Sequence, residues 1–312
     1  MSTPAPPVIE LATYPGLDPR IVLLRAGEEV DAAFVRTQRF DLLIDTLSTP
    51  DDCRTALALL GSRFPDLGTR PLTIVNSHMD WDHFWGNAAL AGRGPIIAHA
   101  AARDRLAAPA ARQTLAQKQA EDPRFAGVTL VAPEITFDGG LQLDGGDLTI
   151  ELIHTPGHTP DHLAVWIPEI RTCLAVDAVE MPIPEVWSRT PGDLHQLRAS
   201  LARIQALDAA FVVTAHGRSC DPALVAGNIA YFDALEQRVA ALATTAEAPA
   251  GHDLSGEGEA LPLSPEGTGL RLEDLVSLPS GMDADTRAFY EGFHATNLAA
   301  TLAARRQAPG AA

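Results

Sequence analysis

The stretch of sequence that decides the fold reads Asn76-Ser77-His78-Met79-Asp80-Trp81-Asp82-His83-Phe84-Trp85-Gly86-Asn87. It directly follows an apolar run, residues 72–76, that predicts a β-strand. His78 and Asp80 are two positions apart, so they point the same way in an extended segment, whereas the adjacent Asp82 and His83 must diverge. The segment can therefore present one pair of metal ligands to one cation and the second pair to another cation nearby.

A second cluster with ligand chemistry reads His154-Thr155-Pro156-Gly157-His158-Thr159-Pro160-Asp161-His162, and it also follows a β-type run. Its prolines and glycine predict a tight turn that can lift one imidazole off the strand end. Asp177 ends the predicted strand 172–177, and His216 directly follows the predicted strand 211–215. Taken alone, each of these two residues would more often be a hydrogen-bonded structural residue. Following the two clusters in this order, they indicate further metal ligands.

The combined set of motifs resembles the metallo-β-lactamase superfamily, including its glyoxalase II-like metallohydrolases. The shared features are H-x-D-x-D-H, H-T-P-G-H, a strand-terminal Asp and A-H-G, spread over about residues 21–217. The resemblance implies an α/β fold, an αββα sandwich in which two mixed β-sheets lie face to face with helices outside. It places the metals at one edge of the sheets. In the family the first motif is usually H-x-H-x-D-H, so Asp80 stands where a His is usual.

The resemblance also implies a centre of two divalent metal ions. The first ion would be bound by His78, Asp80 and His158, the second by Asp82, His83 and His216, and both by a bridging Asp177. His154 and His162 would support these ligands rather than bind metal. The implied activity is that of a hydrolase in which a metal-bound hydroxide attacks an ester, thioester, lactone or amide bond of a small molecule. Asp82 would also orient the nucleophile, as a catalytic residue.

The carboxylate at position 80 bears on which metal is bound. Hard oxygen donors shift the preference away from zinc toward iron or manganese, so all three metals stay open and Asp80→His should move the metal content toward zinc. The extra negative charge makes the centre less positive, so we expect its nucleophile to form at somewhat higher pH than in relatives. Two alternatives to hydrolysis stay open: a di-iron or mononuclear-iron oxidoreductase, and a ligand-binding regulator of low turnover on the same fold.

The substrate side of the site is less marked in the sequence. Trp81, Trp85 and Trp187 are candidates for the wall of a substrate pocket, with core packing as the alternative for the first two. Residues 45–47 read Asp-Thr-Leu where the family often has Asp-Thr-Gly. In glyoxalase II the C-terminal helices provide basic groups for the glutathione carboxylates, but here the arginines are scattered among more numerous acids, so no glutathione site is predicted. These arginines are Arg271, Arg287, Arg305 and Arg306.

The domain organisation follows from short apolar runs that alternate with helical patterns. We predict a catalytic domain at residues 1–245, a flexible connection at 246–269 and a helical extension at 270–312 that packs on the main domain. Strands are predicted at 21–24, 41–45, 72–76, 95–98, 148–154, 163–167, 172–177 and 211–215. Helices are predicted at 50–64, 100–120, 192–207, 222–245 and 270–306.

The composition limits the classes of partner. The chain of 312 residues has 23 basic and 40 acidic side chains, a formal net charge of −17. This charge repels phosphate backbones and anionic membranes, so we expect a small-molecule substrate, no nucleic acid and no membrane, and leave a homodimer open. No apolar run approaches the length of about 20 residues that crosses a bilayer, and the start lacks a signal sequence, which predicts a cytoplasmic protein. The three cysteines lack C-x-x-C spacing and are predicted to be reduced and mostly buried.

Overall fold

Two β-sheets and a set of flanking helices make up the computed structural model, which describes residues 6–245 and 269–307. The strands in that part of the chain are β1 (Ile9–Ala12), β2 (Ile21–Ala26), β3 (Val30–Arg36), β4 (Asp41–Ile44), β5 (Leu72–Val75), β6 (Ile96–His99), β7 (Ile135–Phe137), β8 (Gly140–Asp144), β9 (Thr149–His154), β10 (Leu163–Ile167), β11 (Thr172–Val176) and β12 (Phe211–Thr214). The α-helices are α1 (Pro50–Arg63), α2 (Trp81–Phe84), α3 (Ala101–Ala107), α4 (Pro109–Glu121), α5 (Pro191–Gln205), α6 (Ala223–Thr245), α7 (Leu272–Leu275) and α8 (Ala284–Gln307).

Both sheets are mixed. The first has seven strands in the order β1-β2-β3-β4-β5-β6-β7, antiparallel from β1 to β4 and parallel from β4 to β7. The second has five strands in the order β12-β11-β10-β9-β8, of which only the β11–β12 pair is parallel. The parallel pairs β4–β5 and β11–β12 matter most for function, because polar residues follow the carboxyl end of each of their strands.

The alternation of side chains along β2 shows how the layers stack. Val22 and Leu24 pack with Leu60 of α1, on the outer face of the first sheet. Leu23, between them, points to the opposite face and joins a core with Val165 of the second sheet. Each strand thus contributes to two cores, one between the sheets and one beneath the helices.

The outer face of the second sheet is covered by helices of the C-terminal half. Trp166 and Cys173 pack there in one apolar cluster with Leu197 of α5 and Tyr290 of α8. Helix α8 lies against both α5 and α6. The order of layers is therefore helix, sheet, sheet, helix, and the predicted αββα sandwich of two mixed sheets with a C-terminal helical region is confirmed.

Several predicted elements differ in detail from those observed. The predicted helix 100–120 is two helices, α3 and α4, because Pro109 excludes a helical conformation for Ala108, whose backbone is extended. Strands β1, β3, β7 and β8 were not predicted. Strand β8 is largely exposed on alternate residues, so it lacks the apolar run that marks the other strands.

The cysteines of the chain are free thiols, as their spacing predicts. Cys53 and Cys173 are buried free thiols, and burial raises the pKa of each to about 12, while Cys220 is half-buried. Residues 246–268 of the predicted connection lie outside the described residues. Among the helices in the described part of the chain, none combines the length and apolar character needed to cross a membrane.

Candidate metal centre

The predicted ligands come from the carboxyl ends of strands in both sheets. The first motif follows β5, Asp177 follows β11 and His216 follows β12, while His158 lies in the loop between β9 and β10. Strand ends at which the chain leaves a parallel sheet are where α/β proteins assemble their sites, because side chains from several loops converge there. The two sheets bring these ends to one edge of the sandwich.

Two groups of side chains converge at this edge. In the first, Nε2 of His78 and Nε2 of His158 lie 3.4 and 3.5 Å from Oδ2 of Asp80. In the second, Oδ2 of Asp82 lies 3.6 Å from Nε2 of His83 and 3.3 Å from Nε2 of His216. Within each group the ligand atoms lie within 4.8 Å of one another, close enough to bind one ion.

Asp177 lies between the two groups. Its Oδ2 is 3.4 Å from Nε2 of His78 and 3.5 Å from Nε2 of His158. The same oxygen is 3.2 Å from Nε2 of His83 and 3.4 Å from Nε2 of His216. A carboxylate oxygen within 3.2–3.5 Å of both histidine pairs is in the position of a ligand shared by two ions.

The donor atoms fit divalent cations. Nε2 of His78, His83 and His158 and Oδ1 of Asp177 are buried and, among the described residues, have no hydrogen-bond partner. Buried polar atoms in native proteins nearly always have a partner, so a group of unpartnered atoms facing one another indicates a site that fits a positively charged ligand. Imidazole nitrogens and carboxylate oxygens are the donors that zinc, iron and manganese accept.

The electrostatics of the cluster agree with that interpretation. Burial opposes protonation of His216, but the carboxylates of Asp177 and Asp82 outweigh it and hold its pKa well above the usual value. Burial likewise opposes ionisation of Asp177, yet His83 and His216 hold the pKa of its carboxyl well below the usual range. The pocket therefore strongly stabilises positive charge next to its carboxylates.

A chain of hydrogen bonds selects the tautomer of two histidines. Oδ2 of Asp45 lies 2.9 Å from Nδ1 of His83 and accepts the hydroxyl proton of Ser77 over 2.6 Å. The Ser77 oxygen lies 2.9 Å from Nδ1 of His78 and, having donated its only proton, must accept there. Both rings thus carry their proton on Nδ1 and direct a bare Nε2 to the site. Asp45 was not among the predicted site residues, although its place at a strand end was a usable signal.

The remaining histidines of the second motif have different surroundings. Nδ1 of His158 lies 3.2 Å from the Glu185 carbonyl oxygen, which leaves Nε2 bare. His162 accepts the backbone N–H of Asp177 on Nε2 over 3.3 Å, so it supports a candidate ligand. His154 instead stacks on His99 at 3.7 Å, and its Nε2 lies 2.9 Å from the Pro160 carbonyl oxygen. Neither of these contacts of His154 is with a predicted ligand.

The model of the metallo-beta-lactamase superfamily matches residues 26–216 of the chain, which contain all seven candidate ligands. The chain belongs to this superfamily. A beta-lactamase-like protein 2 homolog from Caenorhabditis elegans is 33% identical over 84 residues, which are 27% of each protein. A hydroxyacylglutathione hydrolase from Mesorhizobium japonicum is 24% identical over 192 residues, 59% of this chain and 64% of that protein. The matched regions thus cover less than two thirds of either relative.

Solved structures show the same superfamily fold. A metallo-beta-lactamase family protein from Thermus thermophilus has a TM-score of 0.60 at 19% identity and covers 96% of this chain and 93% of its own. A metallo-beta-lactamase from Pontibacter korlensis has a TM-score of 0.53 at 18% identity, with 71% and 97% covered. At this level of identity the likeness concerns the fold alone.

Asp80, the departure from the superfamily motif, has a counterion. Its Oδ1 accepts a hydrogen bond from Nη2 of Arg105 over 2.6 Å, which leaves Oδ2 to face His78 and His158. Nη1 of Arg105 donates to Asp161 over 2.8 Å. Arg105 was not predicted, because an arginine in an alanine-rich helix, 25 positions from its partner, gives no sequence signal.

A second buried acid near the centre was also missed. Glu180 accepts a hydrogen bond from the hydroxyl of Tyr290 over 2.8 Å, so the C-terminal helix α8 reaches this region. The Asn228 side chain bonds both the backbone N–H and the carbonyl of Glu180. Burial raises the pKa of Glu180 to about 7, against an opposing effect of His216.

The Asp-Thr-Leu segment shows why Leu47 can replace the glycine that is frequent in the superfamily. Leu47 has a φ of 67°, in the left-handed region that favours glycine. Its side chain is fully buried in the core beneath α1. The burial offsets the backbone strain. Position 86 requires glycine for a steric reason, because a Cβ there would lie 1.9 Å from the Thr46 carbonyl oxygen.

Proposed function

We propose that the protein is a metal-dependent hydrolase that cleaves an ester, thioester, lactone or amide bond of a small molecule. The observation that carries the proposal is the convergence of unpartnered imidazole nitrogens on Asp177 from separate loops. In this proposal His78, Asp80 and His158 hold one divalent ion, Asp82, His83 and His216 hold a second, and Asp177 binds both. When bound, such ions supply an activated water nucleophile and polarise the carbonyl that it attacks.

The chain's own residues would position these groups. Asp82 has one carboxylate oxygen facing His83 and His216, and the other can accept a hydrogen bond from the attacking water. Asp45 and Ser77 hold the imidazoles in one tautomer, so no proton has to move before a metal binds. His162 holds the backbone of Asp177. These contacts keep the reacting groups in a fixed geometry, which is the main contribution a protein makes to such a reaction.

The identity of the metal depends on Asp80. A carboxylate ligand favours iron or manganese over zinc, and the Arg105 pair reduces its basicity and so weakens this preference. We therefore keep zinc and iron as the candidate metals, with manganese as a third. The carboxylate also favours the second candidate function, an iron oxidoreductase, over a regulator without turnover.

The substrate would be a small molecule rather than a nucleic acid, because the net charge of −17 repels phosphate. Acyl thioesters of glutathione, suggested by the name of the Mesorhizobium relative, are disfavoured by the surroundings of two of the four C-terminal arginines. Arg271 pairs with Asp274 and Glu273, and Arg287 pairs with Glu273 and Glu291, so each is already neutralised by acids.

The test combines metal analysis with hydrolysis. Protein purified without added metal should contain close to two metal ions per chain and should hydrolyse members of an ester, thioester and lactone panel. Asp82→Asn should reduce turnover by at least about 100-fold. Asp208→Asn, which changes an exposed carboxylate on the surface, is the matched control and should leave turnover unchanged. Metal-free protein, or full hydrolysis by the Asp82 variant, would refute the proposal. Oxygen consumption without hydrolysis would favour the oxidoreductase.

A further inference from the structure

A cavity of about 320 Å³ opens beside the candidate metal centre. One side is formed by α2 and the turn after it, the other by α3 and α4, and the candidate ligand Asp80 is part of the wall. Apolar side chains make up most of the wall. Among them are Met79, Trp81, Trp85, Leu106, Ala111 and Trp187.

The aromatic part of the wall is held in place from behind. Trp81 and Trp85 meet edge to face at 6.1 Å, and each also meets Phe125 edge to face, at 5.7 and 5.5 Å. The ammonium of Lys118, the single lysine in the sequence, lies 3.7 Å from the centre of the Trp81 ring. The indoles of Trp81 and Trp85 are therefore packed into fixed positions by their neighbours, which gives this part of the cavity a defined shape.

The charged groups at the cavity are neutralised by each other. Asp80 and Arg105, the two ionised side chains in its wall, form a direct pair, and Arg105 also binds the buried Asp161. The Trp187 ring lies 4.5 Å from the Arg105 guanidinium carbon and covers it. An ionic group of a ligand would have to break this pairing, whereas a hydrocarbon group can lie beside the pair and leave it intact.

We propose that this cavity binds the apolar part of the substrate, an aliphatic or aromatic hydrocarbon group, next to the bond that reacts. The size agrees with such a group, because a cavity of about 150 Å³ lined by apolar residues holds one benzene molecule. The volume here is about twice that, which suits a chain of roughly six to ten carbons or a pair of fused rings. The inference of a substrate rests on the proposed function, but the inference of a hydrocarbon site does not.

Binding can be measured without turnover, because three of the four tryptophans of the chain line the cavity. The protein as purified is titrated with 1-butanol, 1-hexanol and 1-octanol while its tryptophan fluorescence is recorded. We expect saturable changes and a dissociation constant that falls about fourfold for each added methylene. The absence of a saturable change, or equal affinity along the series, would overturn the proposal.

Two variants on one helix localise the signal. Ala111→Phe fills the cavity and should weaken 1-octanol binding at least tenfold. Ala116→Phe makes the same change on α4 about 140° around the helix, on an exposed face, and should leave binding unchanged. Equal behaviour of the two variants would also overturn the proposal. Should Ala111→Phe fail to fold, Thr114→Tyr fills the same cavity from an exposed position and takes its place.

A second measurement separates this proposal from the proposed hydrolysis. Esters of p-nitrophenol with acyl chains from acetate to octanoate are assayed with the same three proteins. Alcohol binding without hydrolysis of these esters, or of any member of the ester, thioester and lactone panel above, refutes the hydrolase and leaves the hydrocarbon site standing. Hydrolysis that is indifferent to acyl length, together with no alcohol binding, refutes the hydrocarbon site and leaves the hydrolase standing.

Discussion

Asp80 and Arg105 act as one unit, and this predicts that restoring the usual superfamily histidine will by itself weaken metal binding. Asp80→His removes the carboxylate but leaves the guanidinium, which among the described residues then keeps one acidic partner, Asp161. Its positive charge would lie beside a neutral ligand and repel the incoming ion. The sequence alone predicts only that Asp80→His moves the metal content toward zinc. Because Arg105 pairs with Asp80, we expect tight binding of zinc at both positions only when Asp80→His is combined with Arg105→Gln.

The size of the effect follows from the contacts. Two unit charges about 4 Å apart interact by about 4 kcal/mol at an effective dielectric constant of about 20, and less at larger separation. Nη2 of Arg105 lies 2.6 Å from Oδ1 of Asp80, while Oδ2 of Asp80 faces Nε2 of His78. The guanidinium is therefore separated from the expected position of the first ion by the Asp80 carboxylate alone. A divalent ion increases the repulsion and Asp161 cancels part of it. We therefore expect a loss of about 3 kcal/mol, or about 100-fold in affinity for the first ion.

The assay is a chelator competition with zinc and with ferrous iron, followed by elemental analysis. Asp80→His should retain one tightly bound ion and bind the other about 100-fold more weakly, whereas Asp80→His with Arg105→Gln should bind two zinc ions. Arg112→Gln, on the exposed face of the neighbouring helix α4, controls for the loss of one arginine. If Asp80→His alone binds two zinc ions as tightly as the double variant, Arg105 does not act on the metal site and the reasoning fails.

Three further predictions concern stability, measured by denaturant unfolding with chelator present. Gly157→Ala should cost at least about 3 kcal/mol, because its φ is 124° and a Cβ would lie 2.1 Å from the Leu197 backbone nitrogen; Gly127→Ala, with open space, should cost less than about 1 kcal/mol. Leu47→Gly should destabilise by about 1–3 kcal/mol, because the lost burial of about 2–5 kcal/mol exceeds the strain of about 1–2 kcal/mol that it relieves; a stabilised variant would contradict this. Glu180 binds its proton more tightly in the folded state, with a pKa raised from 4.5 to about 7, so the unfolding free energy falls as the pH rises from 4.5 to about 7. Glu180→Gln cannot lose this proton, so it should be more stable than the parent by about 3 kcal/mol at pH 8 and equal to it at pH 4.5. If the variant and the parent show the same pH dependence of stability, the raised pKa does not belong to Glu180.

The fold and the full ligand set are predicted through the resemblance to the superfamily, and the positions of several candidate ligands also have a physical reason. Polar residues that directly follow buried strands must lie at a strand end, and the ends of neighbouring parallel strands meet at one edge. His78, Asp177 and His216 each follow a strand of this kind, so their order along the chain already indicates their proximity. The match of the superfamily model to residues 26–216 agrees with that interpretation.

The supporting residues could not be predicted in the same way, because their role depends on a partner distant in sequence. Arg105 lies on the last turn of α3, and only the packing of that helix against the loop of the first motif brings it to Asp80. Glu180 becomes a buried acid because Tyr290, 110 residues further along, covers it. Strand β8 was not predicted, because a half-exposed edge strand lacks a continuous apolar pattern.

The pairing at position 80 also changes what the sequence implies about the nucleophile. Counting ligands alone, a carboxylate in place of an imidazole makes the centre less positive and shifts formation of the nucleophile to higher pH. Arg105 places one positive charge on the far side of that carboxylate and so offsets its negative charge. Asp161, which also accepts the Met79 N–H, pairs with Arg105 and reduces this effect. The pH shift relative to histidine-containing relatives should therefore be smaller than the ligand count predicts. The pH shift should reach its full size only in Arg105→Gln, in which no guanidinium offsets the charge of Asp80. A pH–rate profile of that variant identical to the parent's would show that Arg105 has no electrostatic effect on the nucleophile.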